Sequence, residues 1–293
     1  MSDVASRSGA GDSSGRGTPQ GAAVTVAGLR LTIDGKPILN GIDLELPRGK
    51  VTGLAGESGS GKTMTGMTLI GLQPDNAVVT GSVLFDGREL VGLPAREWGS
   101  VRGTRIAMVF QDPTASLHPM LSIGRQLTDH QRHHLGLPKR EALARAESLL
   151  ERVGVPDPAG ALKKYPHEFS GGQLQRIAIA SAIACDPELL IADEPTTALD
   201  VTVQAGILAL LRSLCDDLGL TVVLITHDFG VLSSLADEIA VMRGGVIVEH
   251  GSRYDVIRQP THPYTRELIE SLPMHELAEA GALGAPGASE GTE

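Results

Sequence analysis

Residues 51–63 read Val-Thr-Gly-Leu-Ala-Gly-Glu-Ser-Gly-Ser-Gly-Lys-Thr, an apolar run that leads into a glycine-rich loop. The run Val51–Ala55 predicts a buried strand, and residues 56–63 match the spacing G-x-x-x-x-G-K-[ST] ahead of a helix. Glycines let backbone N–H groups approach phosphate oxygens, and the start of the helix adds partial positive charge. The pattern therefore predicts a nucleoside triphosphate site.

The predicted loop consists of Gly56, Glu57, Ser58, Gly59, Ser60, Gly61, Lys62 and Thr63. Lys62 is expected to reach the β- and γ-phosphates, and the hydroxyl of Thr63 is expected to ligate Mg²⁺. The alternative is a glycine-rich turn next to an unrelated lysine. The strand before the loop and the helix after it favour the nucleotide site over that alternative.

The composition limits the kinds of protein that this chain can be. Its 293 residues suit one large domain or two small ones, and 41% hydrophobic residues support a real core. The net charge is −10, which argues against nucleic acid as the main partner. No apolar stretch of the sequence approaches the roughly 20 residues that cross a bilayer.

The ends of the chain differ in composition from its middle. Residues 1–22 are rich in Ser and Gly and lack the apolar segment of a signal peptide, so they are predicted to be a disordered tail. Residues 273–293 are rich in Ala, Gly and Glu and receive the same prediction. A single folded domain is expected over 23–272.

The hydrophobic pattern predicts an α/β fold. Apolar and polar residues alternate over 24–33, 42–46 and 81–85, as in antiparallel strands arranged around the strand 51–55. Continuous apolar runs at 106–110, 188–192 and 220–225 predict buried parallel strands. Helical spacing over 140–153, 171–184 and 203–218 completes a sheet that is covered on both faces, with a helical insertion at about 112–175.

Two carboxylates follow one of the buried runs. Asp193 and Glu194 come directly after Leu189-Leu190-Ile191-Ala192. Ligand sites in such sheets lie at the carboxyl ends of the strands. Asp193 is therefore predicted to hold Mg²⁺, and Glu194 to orient and deprotonate an attacking water. An acidic turn after a strand is the alternative, and the loop at 56–63 makes it much the weaker one.

A second phosphate-binding helix start is predicted at Ser170-Gly171-Gly172-Gln173. Ser170 is a good N-cap, whereas two glycines in the first turn are poor helix formers. Bare backbone at a helix start makes sense where a phosphate must approach the N–H groups. A loop that merely needs flexibility is the alternative.

Two further polar residues stand at strand ends. His227 follows the run 220–225 and is predicted to sense the γ-phosphate, although a lone histidine there is more often structural. Gln111 follows the run 106–110, and its amide can bridge Mg²⁺ or the attacking water. It would also report the occupancy of the site to the insertion that follows.

The order of these motifs resembles the ATP-binding cassette family over about residues 24–272. The matching motifs are Walker A (56–63), the Q-loop residue Gln111, the signature (170–173), Walker B with its glutamate (Asp193, Glu194), the D-loop (Ala198, Leu199, Asp200) and the switch residue His227. The resemblance implies a P-loop NTPase fold with a RecA-like core, an antiparallel β-subdomain and an inserted α-helical subdomain. It also implies ATP and Mg²⁺ as cofactors and ATP hydrolysis as the reaction.

The resemblance also implies partners. Two cassettes, identical or sister subunits, would lie head to tail, so that Ser170, Gly171, Gly172, Gln173 and Asp200 serve the nucleotide bound to the partner's Walker A. Two integral-membrane permeases and an extracytoplasmic solute-binding protein would complete the system, and this chain would lie peripherally at the cytoplasmic face of the plasma (inner) membrane. The segment 112–130 is predicted to face a permease, with Leu117 and Met120 as contacts.

Two further stretches look like the oligopeptide, dipeptide and nickel importer branch of that family. They are Phe110-Gln111-Asp112-Pro113-Thr114-Ala115-Ser116-Leu117-His118-Pro119 and Gln259-Pro260-Thr261-His262-Pro263-Tyr264-Thr265-Arg266, the latter followed by Ser271-Leu272-Pro273. The expected function is therefore ATP hydrolysis that powers import of peptides or nickel. Non-transport ATPases of the same family, in phosphonate degradation, DNA repair or translation, are the alternatives.

Two details depart from simple expectation. The family stacks adenine on an aromatic residue of the first strand, and here that position is Ile33. ATP would then bind without a stacking ring unless another residue packs on the base. His130, His133 and His134 suggest a metal site, but a solvated helix in the insertion is the preferred interpretation.

Overall fold

The computed structural model describes residues 21–197 and 199–271. The tails predicted over 1–22 and 273–293 lie outside these residues, apart from positions 21 and 22. The described strands are β1 (Ala22–Ile33), β2 (Lys36–Pro47), β3 (Val51–Ala55), β4 (Ala77–Phe85), β5 (Arg88–Glu89), β6 (Ile106–Val109), β7 (Leu189–Asp193), β8 (Thr221–Ile225), β9 (Glu238–Arg243) and β10 (Val246–Ser252).

The described helices lie mainly between β6 and β8 and after β8. They are α1 (Lys62–Leu69), α2 (Ala95–Trp98), α3 (Pro113–Ser116), α4 (Ile123–Leu135), α5 (Lys139–Arg152), α6 (Pro158–Ala161), α7 (Gly171–Ala182), α8 (Val201–Leu218), α9 (Phe229–Leu235), α10 (Arg253–Arg258) and α11 (Pro263–Glu270), with a 3₁₀ turn at Pro166–Glu168.

The central sheet contains six strands in the order β10-β9-β3-β8-β7-β6. β6, β7, β8, β3 and β9 run parallel to their neighbours, and β10 pairs with β9 in the antiparallel sense. Every residue of β3, β7 and β8 is buried, which is why these strands read as continuous apolar runs. The predicted α/β class is confirmed.

Alternate residues of each central strand enter two different cores. Leu190 and Leu224 pack with the helices α4, α5, α7, α8 and α9. Leu189 and Ile225 pack on the opposite face, with α1, α2 and the second sheet. The central sheet is therefore a middle layer, and the period of 2 along each strand decides which layer a side chain meets.

The remaining strands form a separate antiparallel sheet in the order β2-β1-β4-β5. The expectation that these strands surround β3 is wrong in this detail, because the hydrogen-bonding partners of β3 are β8 and β9. The predicted turn between β4 and β5 is present: Asp86 and Gly87 both have positive φ, 47° and 75°. Such a pair matches the twist of the flanking strands.

The helices α3 to α7 form the insertion between β6 and β7. α4 packs on α5, and α7 contacts α3, α4 and α5 on one side and α8 on the other. α7 links the insertion to the central sheet, since it also contacts β6. The subdomain predicted at about 112–175 begins near α3. Its last helix, α7, extends beyond residue 175 to Ala182.

Two general features of the described residues bear on function. None of the helices between residues 21 and 271 combines the length and the hydrophobicity that a membrane span requires. Cys185 and Cys215 are buried free thiols, so no disulfide joins these two residues.

Candidate active site

The loop 56–63 connects the carboxyl end of β3 to the start of α1. Gly56, Gly59 and Gly61 have φ values of 139°, 79° and 106°, which residues with a Cβ rarely adopt. Space is also restricted at two of them: a Cβ on Gly56 would lie 2.2 Å from the carbonyl oxygen of Met242, and one on Gly61 would lie 2.9 Å from Leu39. Gly56 and Gly61 are therefore required by both the turn and its surroundings, and Gly59 by the turn alone.

Lys62 occupies the first position of α1 and is only 7% exposed. Its ammonium donates to the carbonyl oxygens of Gly56 (2.7 Å) and Glu57 (2.9 Å), so the side chain folds back into the loop. Burial lowers the pKa of Lys62 below its ordinary value, while Glu194, Asp193 and Glu57 act in the opposite direction. A partly desolvated cation in a loop of N–H groups is suited to a polyphosphate.

Ser60 supplies another polar atom to the same loop. It is 5% exposed, and its Oγ makes no hydrogen bond within the described part of the chain. A buried hydroxyl without a partner is unfavourable by itself. A phosphate oxygen in the loop would satisfy it, so the residues present fit a nucleotide.

Thr63 and Asp193 lie next to each other across the site. The Thr63 hydroxyl donates to Oδ1 of Asp193 at 3.1 Å. Burial raises the pKa of Asp193 above its ordinary value, and the hydrogen bond from Thr63 partly offsets that effect. A hydroxyl and a carboxylate oxygen are ligands that Mg²⁺ prefers, so this pair fits the predicted metal position.

Glu194 is held in an unusual backbone conformation directly after β7. Its φ is 49°, which costs of order 1–3 kcal/mol for such a residue. Its N–H donates to Ile225 O of β8 at 2.8 Å, and its carboxylate accepts from Thr197 Oγ1 at 2.8 Å. The neighbouring strand and Thr197 thus fix both the backbone and the side chain.

The same carboxylate contacts His227. Nδ1 of His227 lies 2.8 Å from Oε1 of Glu194, across the adjacent ends of β7 and β8. The Glu194 side chain is 15% exposed and the His227 side chain 67% exposed. The carboxylate is therefore sheltered but open to solvent on the histidine side, where a water molecule could be activated.

Gln111 follows β6 at the same edge of the sheet and is exposed. The next residue, Asp112, caps α3 by accepting from the N–H of Thr114. Gln111 therefore stands between the central sheet and the first helix of the insertion, where it was expected.

The signature residues occupy a different part of the chain. Ser170 caps α7: its Oγ accepts from the N–H of Gln173 at 3.4 Å, and Oε1 of Gln173 accepts from the N–H of Ser170 at 3.0 Å. Asp200 caps α8 in the same manner, accepting from Val203 N at 2.9 Å. Ser170, Gln173 and Asp200 thus have local structural roles in addition to the predicted nucleotide contacts.

The two signature glycines differ in their surroundings. A Cβ on Gly172 would lie 2.5 Å from Cγ1 of Val203, whereas one on Gly171 would meet only Leu199, at 3.8 Å. Gly172 is therefore needed for the close packing of α7 against α8. Gly171 has room for a Cβ, so packing within the described residues does not require a glycine there.

The structure brings together the loop 56–63 with Thr63, Asp193, Glu194 and His227. Sequence reasoning missed Thr197, which positions Glu194, because a threonine in a turn carries no specific signal. It also missed the role of Tyr264, whose hydroxyl accepts from the N–H of Glu57 at 3.2 Å. Ala198 of the predicted D-loop lies outside the described residues.

Comparison with known proteins identifies the family. The sequence model described as ABC transporter matches residues 39–197, which is more than half of the chain. The chain belongs to the ABC transporter family. The matched stretch contains Walker A, the signature and Walker B, so this member of the family is an ATPase of the cassette type.

Relatives and solved cassettes agree with this assignment. The oligopeptide transport ATP-binding protein OppD of Salmonella typhimurium is 42% identical over 92% of this chain and 82% of its own length. The dipeptide transport ATP-binding protein DppD of Lactococcus lactis is 44% identical over 87% of this chain and 73% of its own. The dimeric cassette MJ0796, described as bound to ADP and Pi, aligns with a TM-score of 0.69 and 28% identity, over 78% of this chain and 98% of its own.

Ile33 ends β1 at a hairpin that lies beside the phosphate loop. It pairs with Lys36 of β2, and Leu39 of the same hairpin approaches Gly61. We expect Ile33→Tyr to tighten ATP binding by up to ~1–3 kcal/mol, because a ring can stack on the adenine where Ile offers only apolar contact. ATP and GTP affinities of the assembled complex and of the isolated subunit would be measured by calorimetry, with Ile33→Leu as the control.

The outcome also tests where adenine lies. Wild type should discriminate weakly between ATP and GTP if Ile33 faces the base. Strong preference for ATP in wild type, together with no change in Ile33→Tyr, would show that the base packs elsewhere, for example on a residue of a partner subunit.

Proposed function

We propose that this chain is the ATP-hydrolysing subunit of an importer of peptides, in which Glu194 is the general base. The role of Glu194 is supported by its contacts with Thr197 and His227 at the ends of β7 and β8. The pair Thr63 and Asp193 lies next to it. A sheltered carboxylate beside a phosphate-binding loop can orient a water molecule and accept its proton.

The roles of the other residues follow from their positions. Lys62 and the N–H groups of the loop 56–63 stabilise the negative charge on the β- and γ-phosphates. His227, which contacts Glu194 and is open to solvent, can touch the γ-phosphate and orient the base. Gln111 can contact the attacking water from the end of β6. Positioning and electrostatic stabilisation account for most catalysis in phosphoryl transfer.

A magnesium ion is part of the proposal. Thr63 and Asp193 are the residues that would hold it, with Gln111 within the same edge of the sheet. Bound there, Mg²⁺ would neutralise charge on the phosphate oxygens.

A second cassette is proposed to complete the site. α7 begins with Gly171 and Gly172, whose N–H groups are free of intrahelical partners as in the first turn of any helix. Its capping box keeps this helix start formed without a ligand. Two phosphate-binding helix starts in one chain, at Lys62 and Gly171, are explained by a head-to-tail dimer. The dimeric state of MJ0796, described as bound to ADP and Pi, supports the dimer.

The insertion is proposed to bind an integral-membrane permease. A cavity of about 250 Å³ lies between β6, α4 and α7, close to Gln111. It is lined mainly by apolar residues, together with Arg102, His130 and His134. His130 is exposed and His134 half-buried, so both line the cavity while remaining in contact with solvent. A side chain of a permease helix could enter this cavity, next to the segment that follows Gln111.

Met120 is the better probe of the segment 112–130, which is predicted to face the permease. Leu117 is 3% exposed and part of the core, so its truncation would destabilise the fold by ~2–5 kcal/mol rather than uncouple transport. Met120 is 77% exposed. We expect Met120→Ala to reduce transport while basal ATP hydrolysis stays near the wild-type rate, because the ATP site lies elsewhere.

The measurement compares uptake with ATP hydrolysis for the complete transporter in vesicles. Val78→Ala is the matched control, since Val78 is 63% exposed on β4, away from the insertion. Equal loss of both activities in Met120→Ala, or no loss of either, would place the interface elsewhere.

The cargo is proposed to be peptides rather than nickel. OppD and DppD, which match most of this chain, are peptide transport proteins by name. These relatives favour transport over phosphonate degradation, DNA repair or translation. The proposed system contains two integral-membrane permeases and an extracytoplasmic solute-binding protein. This chain is proposed to lie at the cytoplasmic face of the membrane and to have no nucleic acid partner.

The cargo is tested with the purified complex in vesicles. Peptide-loaded binding protein is expected to stimulate ATP hydrolysis and to deliver labelled peptide, whereas Ni²⁺ is expected to do neither. Stimulation by Ni²⁺ alone, or purification of the chain from native membranes without any permease, would overturn the proposal.

A further inference from the structure

The last described helix touches the phosphate loop. Tyr264 of α11 is 2% exposed, and its hydroxyl accepts a hydrogen bond from the N–H of Glu57 at 3.2 Å. Glu57 is the second residue of the loop, so the contact joins positions 207 residues apart in sequence. The guanidinium of Arg243 lies over the Tyr264 ring, 4.4 Å from its centroid.

The sequence before Tyr264 aims its side chain at the loop. Glu249 of β10 accepts hydrogen bonds from the N–H of Thr261 (2.7 Å), from its hydroxyl (2.9 Å) and from the N–H of His262 (3.1 Å). Nδ1 of His262 in turn accepts from the N–H of Tyr264 and caps α11, while Pro263 occupies the first turn. These bonds fix the start of α11 to β10 and place the Tyr264 side chain next to the phosphate loop.

The hydrogen bond acts on one particular peptide group. The C=O of Gly56 and the N–H of Glu57 belong to the same planar trans unit and point in opposite directions. Tyr264 binds its N–H, and Lys62 donates to its C=O at 2.7 Å. This peptide is thus held at both ends, by Tyr264 on one side and by Lys62 on the other.

Such a restraint matters here because the preceding residue is glycine. Gly56, at φ 139°, has no Cβ to limit rotation of the peptide. A rotation would break the bond to Tyr264 and move the carbonyl that accepts from Lys62. We propose that Tyr264 is a positioning residue for ATP binding, which fixes the Gly56–Glu57 peptide and through it the location of the Lys62 ammonium.

The inference rests on the nucleotide site proposed above and adds a residue outside its motifs. It assigns a role to the hydroxyl alone. The ring could bury the same apolar surface as a phenylalanine, so a purely structural role for Tyr264 would not require the oxygen atom.

The test compares two substitutions in the complete complex. Tyr264→Phe is expected to raise the KM for ATP about 3–10-fold with kcat within about 2-fold of wild type, the effect of one lost hydrogen bond. Ile269→Ala, which removes buried apolar surface from the same helix, is the control: it should lower the melting temperature more and shift KM less. Steady-state hydrolysis, ATP calorimetry and thermal melts supply the values.

A third variant tests the hydrogen bonds that position α11 while it keeps the Tyr264 hydroxyl. Glu249→Gln leaves Tyr264 intact but weakens the bonds to Thr261 and His262, so it should raise the KM for ATP in the same direction. An unchanged KM in Tyr264→Phe, or KM shifts in all three variants that simply follow loss of stability, would overturn the inference. If wild type itself failed to bind ATP, the proposed site would fall instead, so the two failures are distinguishable.

Discussion

Replacing Glu194 with Gln is expected to slow ATP hydrolysis by ~10²–10⁴-fold while ATP binding is retained. The amide has nearly the same shape as the carboxylate, so it can still accept from Thr197 and remain near His227. It cannot take up the proton of the attacking water. The substitution should therefore remove the chemical step and leave the phosphate loop intact.

The measurement combines single-turnover phosphate release with equilibrium ATP binding. ATP-bound Glu194→Gln should also accumulate as a dimer, which size-exclusion chromatography with and without ATP would detect. Glu97→Gln is the matched control, because Glu97 is a partly exposed carboxylate that pairs with Arg88 outside the site. Wild-type hydrolysis in Glu194→Gln would assign the base to another residue.

Lys62→Ala is expected to abolish most ATP binding. The alanine leaves the β- and γ-phosphates without the ammonium that neutralises them in the loop. Folding should not suffer in parallel. Burial lowers the pKa of Lys62, which means that the folded, nucleotide-free protein disfavours the charged form that prevails at neutral pH. The substitution ends this cost but also removes the hydrogen bonds to the carbonyl oxygens of Gly56 and Glu57, so only a small change in melting temperature is expected.

Calorimetry with ATP and a thermal melt without ATP test both parts of this expectation. Lys50→Ala is a suitable control, because Lys50 lies just before β3 with a side chain that is 54% exposed. Unchanged nucleotide affinity in Lys62→Ala would falsify the assignment of the phosphate loop.

Sequence reasoning worked best where function depends on a local pattern. Strand, glycine loop and helix are contiguous in 51–69, and their chemistry is determined by residue types at fixed spacing. Asp193 and His227 were placed at one edge by a general property of parallel sheets, whose carboxyl ends coincide. The distance between His227 and Glu194, however, required the structure.

The limits of the sequence appear where the outcome depends on distant partners. Alternation predicted the antiparallel strands, but it carries no information on which sheet they join. Leu117 and Met120 have similar hydrophobicity and opposite exposure, which only the packing of the insertion decides. Thr197 bonds to Glu194, and Tyr264 bonds to Glu57. No local sequence pattern indicates either hydrogen bond.

The tight packing of Gly172 against Val203 has a consequence for mutational genetics. Any side chain at Gly172 collides with Val203 before a nucleotide is considered. If a nucleotide binds at the α7 N-terminus as proposed, a loss-of-function allele at this codon would combine a packing defect with a blocked approach to that site. A compensating allele that shortens Val203 would restore only the first of these. Partial recovery of function in the double mutant would therefore separate the packing defect from the effect on the α7 N-terminus. A substitution at Gly171 could not separate them, because a Cβ there causes no collision.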